Sequence, residues 1–546
     1  MIDQTPAAST APAAHPPLPV AITTIGVIAV AMVGSTISSQ LVDLDIADIS
    51  GGLSLSADNA SWIACVATMA EVVSIPIAAI LVRALSLRRV AVYSASIYVV
   101  CACLSLFVSG EDGLIVLRAM QSYCSGTMSV LMFVAVVATL PPGFARNVGL
   151  ALFAFASTAP TALNASVGAF VTERWGWQGL YYFDLTWGLI FLVLAWRLLR
   201  PAPPAMRLSE IDWLGYVILA VGLAALILFL KQGDRFFWLD NPIIRHAGLI
   251  AAVAIPLALV LFVLGRRPLL DLKLMASPTF GWAIALATFY RFGMVMTAFV
   301  VPQALTRLQG FRIEQIADAN IWAFWAQCFS FPLAWLWASH GDARQPLSLG
   351  LALFAAGAFV ATWLTPQWQA NDFGLALILV GIGQGLFLVP TLFYSTRDVK
   401  PEQGPTAAAL FNLSRIVGQT FGTGVVSALI TYRENFHSAV LVESVNNASS
   451  AVAERLHGLV ASFLATSGDA ALASKQAWAS LSATLSSQAY VLAFADAFVI
   501  VSAVLAVSAL LVLMLPQLHP TADSAAAKIA APPLLPNPTA SSESSS

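Results

Sequence analysis

Apolar residues along this chain fall in blocks of roughly 20, each long enough to cross about 30 Å of hydrocarbon as a helix. Short polar or Pro/Gly-rich joints separate them. The blocks are continuous and do not alternate, which predicts spanning helices and excludes the strands of a membrane barrel. Fourteen spans are predicted, at 20–42, 62–82, 90–109, 114–139, 146–171, 180–199, 213–230, 243–264, 280–303, 316–337, 347–364, 374–395, 406–431 and 490–515. A long polar segment, 433–488, separates the last two, with helical spacing in Ala451-Val-Ala-Glu-Arg-Leu456-His-Gly-Leu459-Val460, and reads as a plain loop cover or as a docking surface.

Composition agrees with the pattern. With 59% hydrophobic and 10% charged residues, the chain has too little polar surface to cover a soluble particle of 546 residues. Its 26 basic and 28 acidic residues leave no clustered positive face for nucleic acid. The joints on the side of the two chain ends carry Arg83, Arg88, Arg89, Arg146, Arg197, Arg200, Arg207, Arg266, Arg267, Lys273, Arg344, Arg397 and Lys400. The first joint on the other side holds Asp43, Asp45, Asp48 and Asp58 and no base. The positive-inside rule therefore puts both ends in the cytoplasm. Residues 1–19 contain neither Lys nor Arg, so they lack the basic region of a secretory signal and read, like 516–546, as a disordered cytoplasmic tail. All five cysteines lie within apolar blocks and read as packing residues.

An internal repeat is visible at an offset of roughly 256–263 residues. Ser74-Ile-Pro-Ile-Ala78 recurs as Ser330-Phe-Pro-Leu-Ala334, Leu114-Ile-Val-Leu with Gln121 recurs as Leu377-Ile-Leu-Val with Gln384, and Leu152-Phe153 recurs as Leu410-Phe411. Shared membrane composition is the competing explanation of such short matches. The repeat predicts an all-α membrane protein with a six-helix half at 20–200, a linker and two extra helices at 201–268, and a second six-helix half at 269–515.

Enzyme signatures are missing. The six histidines fall in tails, loops or at a span's edge, so none forms an intramembrane metal pair, and no glycine-rich loop ends in Gly-Lys. Gly381-Ile-Gly383-Gln-Gly385 lies within an apolar span, where small residues let helices approach closely. The informative residues are the ionisable ones inside spans, each costing about 2.5–3.5 kcal/mol on insertion scales and so tending to face a cavity or a partner. Glu71 lies near the midplane with Thr68 and Ser74 on its face, placed to take up and release a proton or to serve as a paired structural acid. Arg118 begins a polar stripe through Gln121, Ser122, Ser125 and Ser129, with Glu71 as a candidate partner or, alternatively, backbone carbonyls. Arg291 and Arg415, the latter with Gln419 on its face, are placed to receive polar or anionic groups, Arg415 alternatively to snorkel to the interface, and Gln327 is the repeat counterpart of Glu71. Asp184 and Asp496, near the outer ends of their spans, read as gate or network residues. Trp322, Phe324, Trp325, Phe329, Phe331, Trp335 and Trp337 make the tenth span aromatic, for ligand stacking or for lipid contact.

Several stretches together carry a resemblance. Arg118-Ala-Met-Gln121 matches an Arg-x-x-Gln-Gly motif with Ser122 for the glycine, and Ala159-Pro160 through Gly168 matches an antiporter motif with Leu163-Asn164 for Gly-Pro. Ala79 to Arg89 occupies a Gly-x-Leu-Ala-Asp-Arg loop, with Arg83 for the acid and Ser86 for the second glycine. Ile37-Ser38 stands where a Leu-Asp pair is usual. Trp177 through Gly188 fits a Trp-Arg-Trp…Asn-x-Pro stretch, with Asp184 for Asn and Thr186 for Pro, and Pro302-Gln303 and Asn412-Leu-Ser-Arg415 also fit. Over roughly 20–515 the chain resembles the major facilitator superfamily, within it the fourteen-span drug/proton antiporters of the EmrB/QacA type. The resemblance implies export of amphipathic drugs or toxic compounds across the bacterial inner membrane, with the proton gradient as energy source and no cofactor. Tyr432-Arg-Glu to Glu443-Ser is similar to the external segment of exporters that pair with a periplasmic membrane-fusion adaptor and an outer-membrane channel. Proton coupling is then expected at Glu71, Arg118 and Asp184, and a substrate cavity at Gln121, Ser125, Asn164, Arg291, Trp325, Gln327, Arg415 and Gln419. Export of one endogenous metabolite or siderophore, and a non-transporting sensor or scaffold, are the alternative readings.

Overall fold

The computed structural model describes residues 16–515 except 45, 109, 142, 266–267, 398, 401–402 and 446–449. The C-terminal tail, most of the N-terminal one, His15, His519, Asp45, Arg266 and Arg267 lie outside the described residues. Seventeen α-helices follow one another, and the described residues contain no strand: α1 (Leu18–Leu44), α2 (Ile46–Leu53), α3 (Ala57–Leu85), α4 (Leu87–Ser105), α5 (Glu111–Thr139), α6 (Phe144–Trp175), α7 (Gly179–Leu198), α8 (Trp213–Gln232), α9 (Pro242–Leu264), α10 (Pro278–Gly293), α11 (Val301–Gln309), α12 (Ile313–His340), α13 (Arg344–Val360), α14 (Gly374–Thr396), α15 (Gly404–Ser444), α16 (Ser450–Ser467) and α17 (Ala470–Val512). Among the described residues, twelve segments are long and apolar enough to cross a membrane. One of them, Phe144–Leu198, contains both α6 and α7, and the 28-residue α12 packs on α6 and α14, which makes fourteen helical columns among the described residues. The side on which α1 begins is called the tail side below, and the opposite one the far side.

Local chemistry sets the column ends. The side chains of Ser56, Asp212, Asn241 and Ser277 accept backbone N–H groups at the starts of α3, α8, α9 and α10, and Pro242 and Pro278 occupy first-turn positions where a missing N–H is harmless. Two predicted boundaries are corrected. The span 280–303 is not one helix, because a π-turn at Met296–Val300 separates α10 from α11. Pro302 has no N–H to return to the preceding turn, and the wider turn absorbs that loss. The polar segment after 432 continues α15 to Ser444, because no Gly or Pro interrupts 425–444, and it returns through α16 and the first part of α17.

Around α5, the helices α1, α3 and α4 pack directly, and α6 and α7 close on α1. The later helices arrange themselves likewise, with α12 and α13 against α14, and α10 against α14, α15 and α17. These two groups meet along α6–α12 and α3–α15. On the tail side, Phe133, Phe153 and Phe411 form a buried aromatic layer across that seam, with ring centroids 5.5–5.9 Å apart. At the far side the α8–α9 hairpin ties both groups together: Arg235 pairs with Asp58 at 2.7 Å, while Asp234 accepts from Ser427 (2.7 Å) and Thr431 (3.1 Å).

Candidate functional site

Membrane-buried charge collects in two places. The first lies within the early helices. The Arg118 guanidinium, only 1% exposed, donates through Nη1 to Asp184 Oδ2 (3.0 Å) and Gln121 Oε1 (2.9 Å), and through Nη2 to the Ser38 carbonyl. Gln121 Nε2 donates to the same Asp184 oxygen at 2.8 Å. Tyr98 OH donates to the other at 2.9 Å and also bonds Ser38 Oγ. One cation and one carboxylate from α5 and α7, framed by α1 and α4, thus find partners for both terminal nitrogens and both oxygens, and only Arg118 Nε is left without one.

This arrangement decides one open reading and corrects one expectation. Asp184, read as a gate or network residue, is a buried member of a network and the counter-ion of Arg118. Glu71 is not the partner of Arg118. Glu71 lies fourteen residues into α3 and Arg118 seven into α5, roughly 21 Å and 10 Å from the far-side starts of their helices, so they sit at different depths. Ser38, standing where the resembling family has an acid, offers only a carbonyl and a hydroxyl; the negative charge comes instead from Asp184, where that family has Asn.

The second place lies deeper and joins the two groups of helices. Glu71 Oε1 accepts from Arg415 Nη2 at 2.9 Å, both side chains being more than nine-tenths buried. α3 presents Glu71 through a close approach to α5: a Cβ on Gly126 would overlap Ser74 Oγ and stand 2.5 Å from the Glu71 carbonyl oxygen. Ser74 Oγ in turn donates to that carbonyl at 2.8 Å. Arg291, on α10, is 2% exposed, and no hydrogen bond or acid meets its guanidinium among the described residues. The Tyr290 ring lies 5.4 Å from its guanidinium carbon, and Gly418, one turn beyond Arg415 on α15, packs against its Cβ. Gln419 is half-buried one turn beyond Arg415.

The remaining candidates divide. Gln327 bonds Gln384, the repeat counterpart of Gln121, within the later helices. Asn164 donates to Gln40 (3.0 Å), which donates to Thr161 (3.1 Å), and Ser125 donates to the Ser35 carbonyl (3.2 Å), so both hold α1 to its neighbours. Asp496 takes Arg433 (2.6 Å) and His437 (2.7 Å) near the far side. Trp325 is a correction. It is 56% exposed in a stripe with Trp322, Phe329, Leu333 and Leu336, on the face of α12 turned away from α6 and α14, where lipid and not a substrate cavity would meet it. Sequence reasoning missed Tyr98 and Ser38; a hydroxyl opposite a buried Arg carries no pattern of its own. The described residues hold no group of His, Cys, Asp or Glu suited to a metal.

Long helices in two similarly packed groups, with a hairpin tying them together and an ion pair across their seam, define a polytopic membrane carrier. The family model of the Major Facilitator Superfamily matches residues 23–422, and the chain belongs to that superfamily of membrane transporters. It is 24% identical to the fatty acid resistance protein FarB of Neisseria gonorrhoeae over 430 residues, 77% of this chain and 84% of that one. It is 22% identical to the multidrug export protein EmrB of Escherichia coli K12 over 417 residues, 75% of this chain and 80% of that one. Among solved structures, the proton:xylose symporter XylE superposes with a TM-score of 0.57 at 11% identity, covering 91% of this chain and 96% of that one, and supports the fold.

Proposed function

We propose that this protein is a proton-coupled antiporter that exports amphipathic compounds across the bacterial inner membrane, its tail side facing the cytoplasm. The carrying observation is the Glu71–Arg415 ion pair, buried across the seam that must open and close if the halves rock. While Glu71 is ionised, the pair holds α3 to α15. A proton reaching it from the far side cancels the attraction and frees Arg415, and the halves can then part on the other side. Substrate entering from the cytoplasm takes the freed surface, and the proton leaves toward the cytoplasm as the pair re-forms. Arg118–Asp184, satisfied within one half, keeps that half rigid during the exchange.

The relatives' names, fatty acid resistance and multidrug export, support amphipathic cargo. An adaptor is supported by length: α15 and α17, of 41 and 43 residues, run about 60 Å each at 1.5 Å per residue, twice the hydrocarbon thickness. Their far-side halves and α16 form a mast on which a periplasmic adaptor, continuing to an outer-membrane channel, would dock. The test uses purified protein in liposomes with an imposed pH gradient, read for proton release on adding candidate compounds. Glu71→Gln abolishes that release while gradient-free substrate exchange continues; undiminished release in the mutant removes Glu71 from the mechanism.

A further inference from the structure

We infer that the cargo carries a carboxylate and that Arg291 is the residue that selects it. The inference rests on the exporter reading above and names its substrate class. Its basis is a charge imbalance. On α15, Arg415 is bonded to Glu71 of α3, and Gly418, one turn further along, packs on Arg291 of α10, so two guanidiniums stand beside one acid that is already engaged. Arg291 is left with a buried Nη2 that no acceptor meets. A lone guanidinium inside a membrane is costly in proportion to its desolvation, and proteins normally pair it. Arg118 shows the ordinary solution in this same chain, with a carboxylate, an amide oxygen and a carbonyl around one fork.

The stem of Arg291 is fixed while its fork is free. Gly418 packs against it so closely that a Cβ there would stand 3.1 Å from the Arg291 Cβ, and Tyr290 beside it stacks on Phe387 with centroids 4.9 Å apart. A positioned fork with open donors suits a planar, two-oxygen anion, which Arg binds bidentately. The site's net charge of one positive unit, with Glu71 ionised, favours one negative charge on the ligand and repels a cation. One turn tail-ward of Arg415, Phe411 packs into the buried layer with Phe133 and Phe153, so parting of the seam there would uncover an apolar surface beside the charged groups. Head and tail surfaces together describe an amphiphile with a terminal carboxylate.

The test is equilibrium binding to the full-length protein in nonionic detergent, without a gradient. The probe is 11-(dansylamino)undecanoic acid beside its primary amide, with protein-free micelles subtracted. The acid binds at least tenfold more tightly than the amide; Arg291→Gln brings the acid down to the amide's level, and Arg291→Lys, which keeps the charge without the fork, narrows the preference at least threefold. Equal binding of acid and amide by the unaltered protein overturns the inference, as does a full preference retained in Arg291→Gln. If Arg291→Gln does not elute as folded protein, the unaltered protein and Arg291→Lys decide, an unchanged preference in the latter overturning the assignment. Because no proton movement is read, a failure of coupling leaves this result standing, and coupled export of neutral compounds with no acid preference defeats this inference alone.

Discussion

Two buried arginines at different depths of the same membrane protein are treated in opposite ways. Arg118 is enclosed by groups from one half of the molecule, and both of its terminal nitrogens are answered while its Nε is not. Arg415 reaches out of its half to an acid 344 residues away in sequence, and Arg291 beside it reaches nothing. The difference separates structure from exchange. A network whose carboxylate is fully engaged offers little to a visiting ion and would lose bonds by moving, so it stabilises one conformation. An ion pair that crosses a moving seam beside a spare cation has alternatives of similar energy, as a carrier needs.

The sharpest way to break this comparison is to remove one member of each pair. Arg118→Ala strands Asp184 in a buried site and destabilises the protein by about 3–5 kcal/mol, read as a fall in the detergent unfolding midpoint. The double replacement Arg118→Leu with Asp184→Leu recovers most of that loss, because no charge remains to be solvated. Glu71→Gln, whose amide oxygen can still accept from Arg415, changes stability by only about 1 kcal/mol while removing coupling. If Arg118→Ala uncouples at unchanged stability, or Glu71→Gln unfolds the protein, the two roles are the wrong way round.

A neutral pair in the later helices extends the series. Gln327 and Gln384, counterparts of Glu71 and Gln121, bond each other and have no charged neighbour in their bond. Gln327→Leu leaves a buried amide without its partner and costs about 1–3 kcal/mol, whereas Leu at both positions is nearly neutral. Thermal unfolding of the two single replacements and the double one reads this directly. A double replacement that also loses transport would show that the later half takes part in coupling.

How much of this the sequence disclosed follows from the reach of each signal. Continuous apolar blocks report the columns because the bilayer imposes one length on all of them, and Glu71, Arg118, Arg291 and Arg415 stand out because charge is rare in such blocks. Partnership is a property of depth and rotation. Glu71 and Arg118 are on neighbouring helices yet about 10 Å apart in level, while Glu71 and Arg415 share a level from opposite ends of the chain. Trp325 was legible as an aromatic in a span, but the stripe that turns it outward emerges only when α12 has neighbours on its other face. The extension of α15 beyond the bilayer was readable in the absence of Gly and Pro from 425 to 444, a quieter signal than the polarity that suggested a loop.

The smallest expected effect compares the tail-side reversals of the two halves. Between α3 and α4 the chain turns at Ser86, with φ 85° and ψ 153°, a region that essentially only glycine enters without strain. Between α12 and α13 it turns at Gly341, whose φ of −126° any residue adopts. The glycine conformation has thus been kept in the first half without its glycine. The Ser86 hydroxyl is also buried with no partner. Ser86→Gly relieves strain of about 1–3 kcal/mol against an unfolded-state entropy cost of roughly 0.5–1 kcal/mol, for a net gain of about 1 kcal/mol. Ser86→Ala removes the hydroxyl but keeps the strained backbone, so a gain confined to Gly assigns the effect to φ. A gain shared equally by both assigns it to the buried hydroxyl, and no gain in either means that the surrounding helices relax the turn.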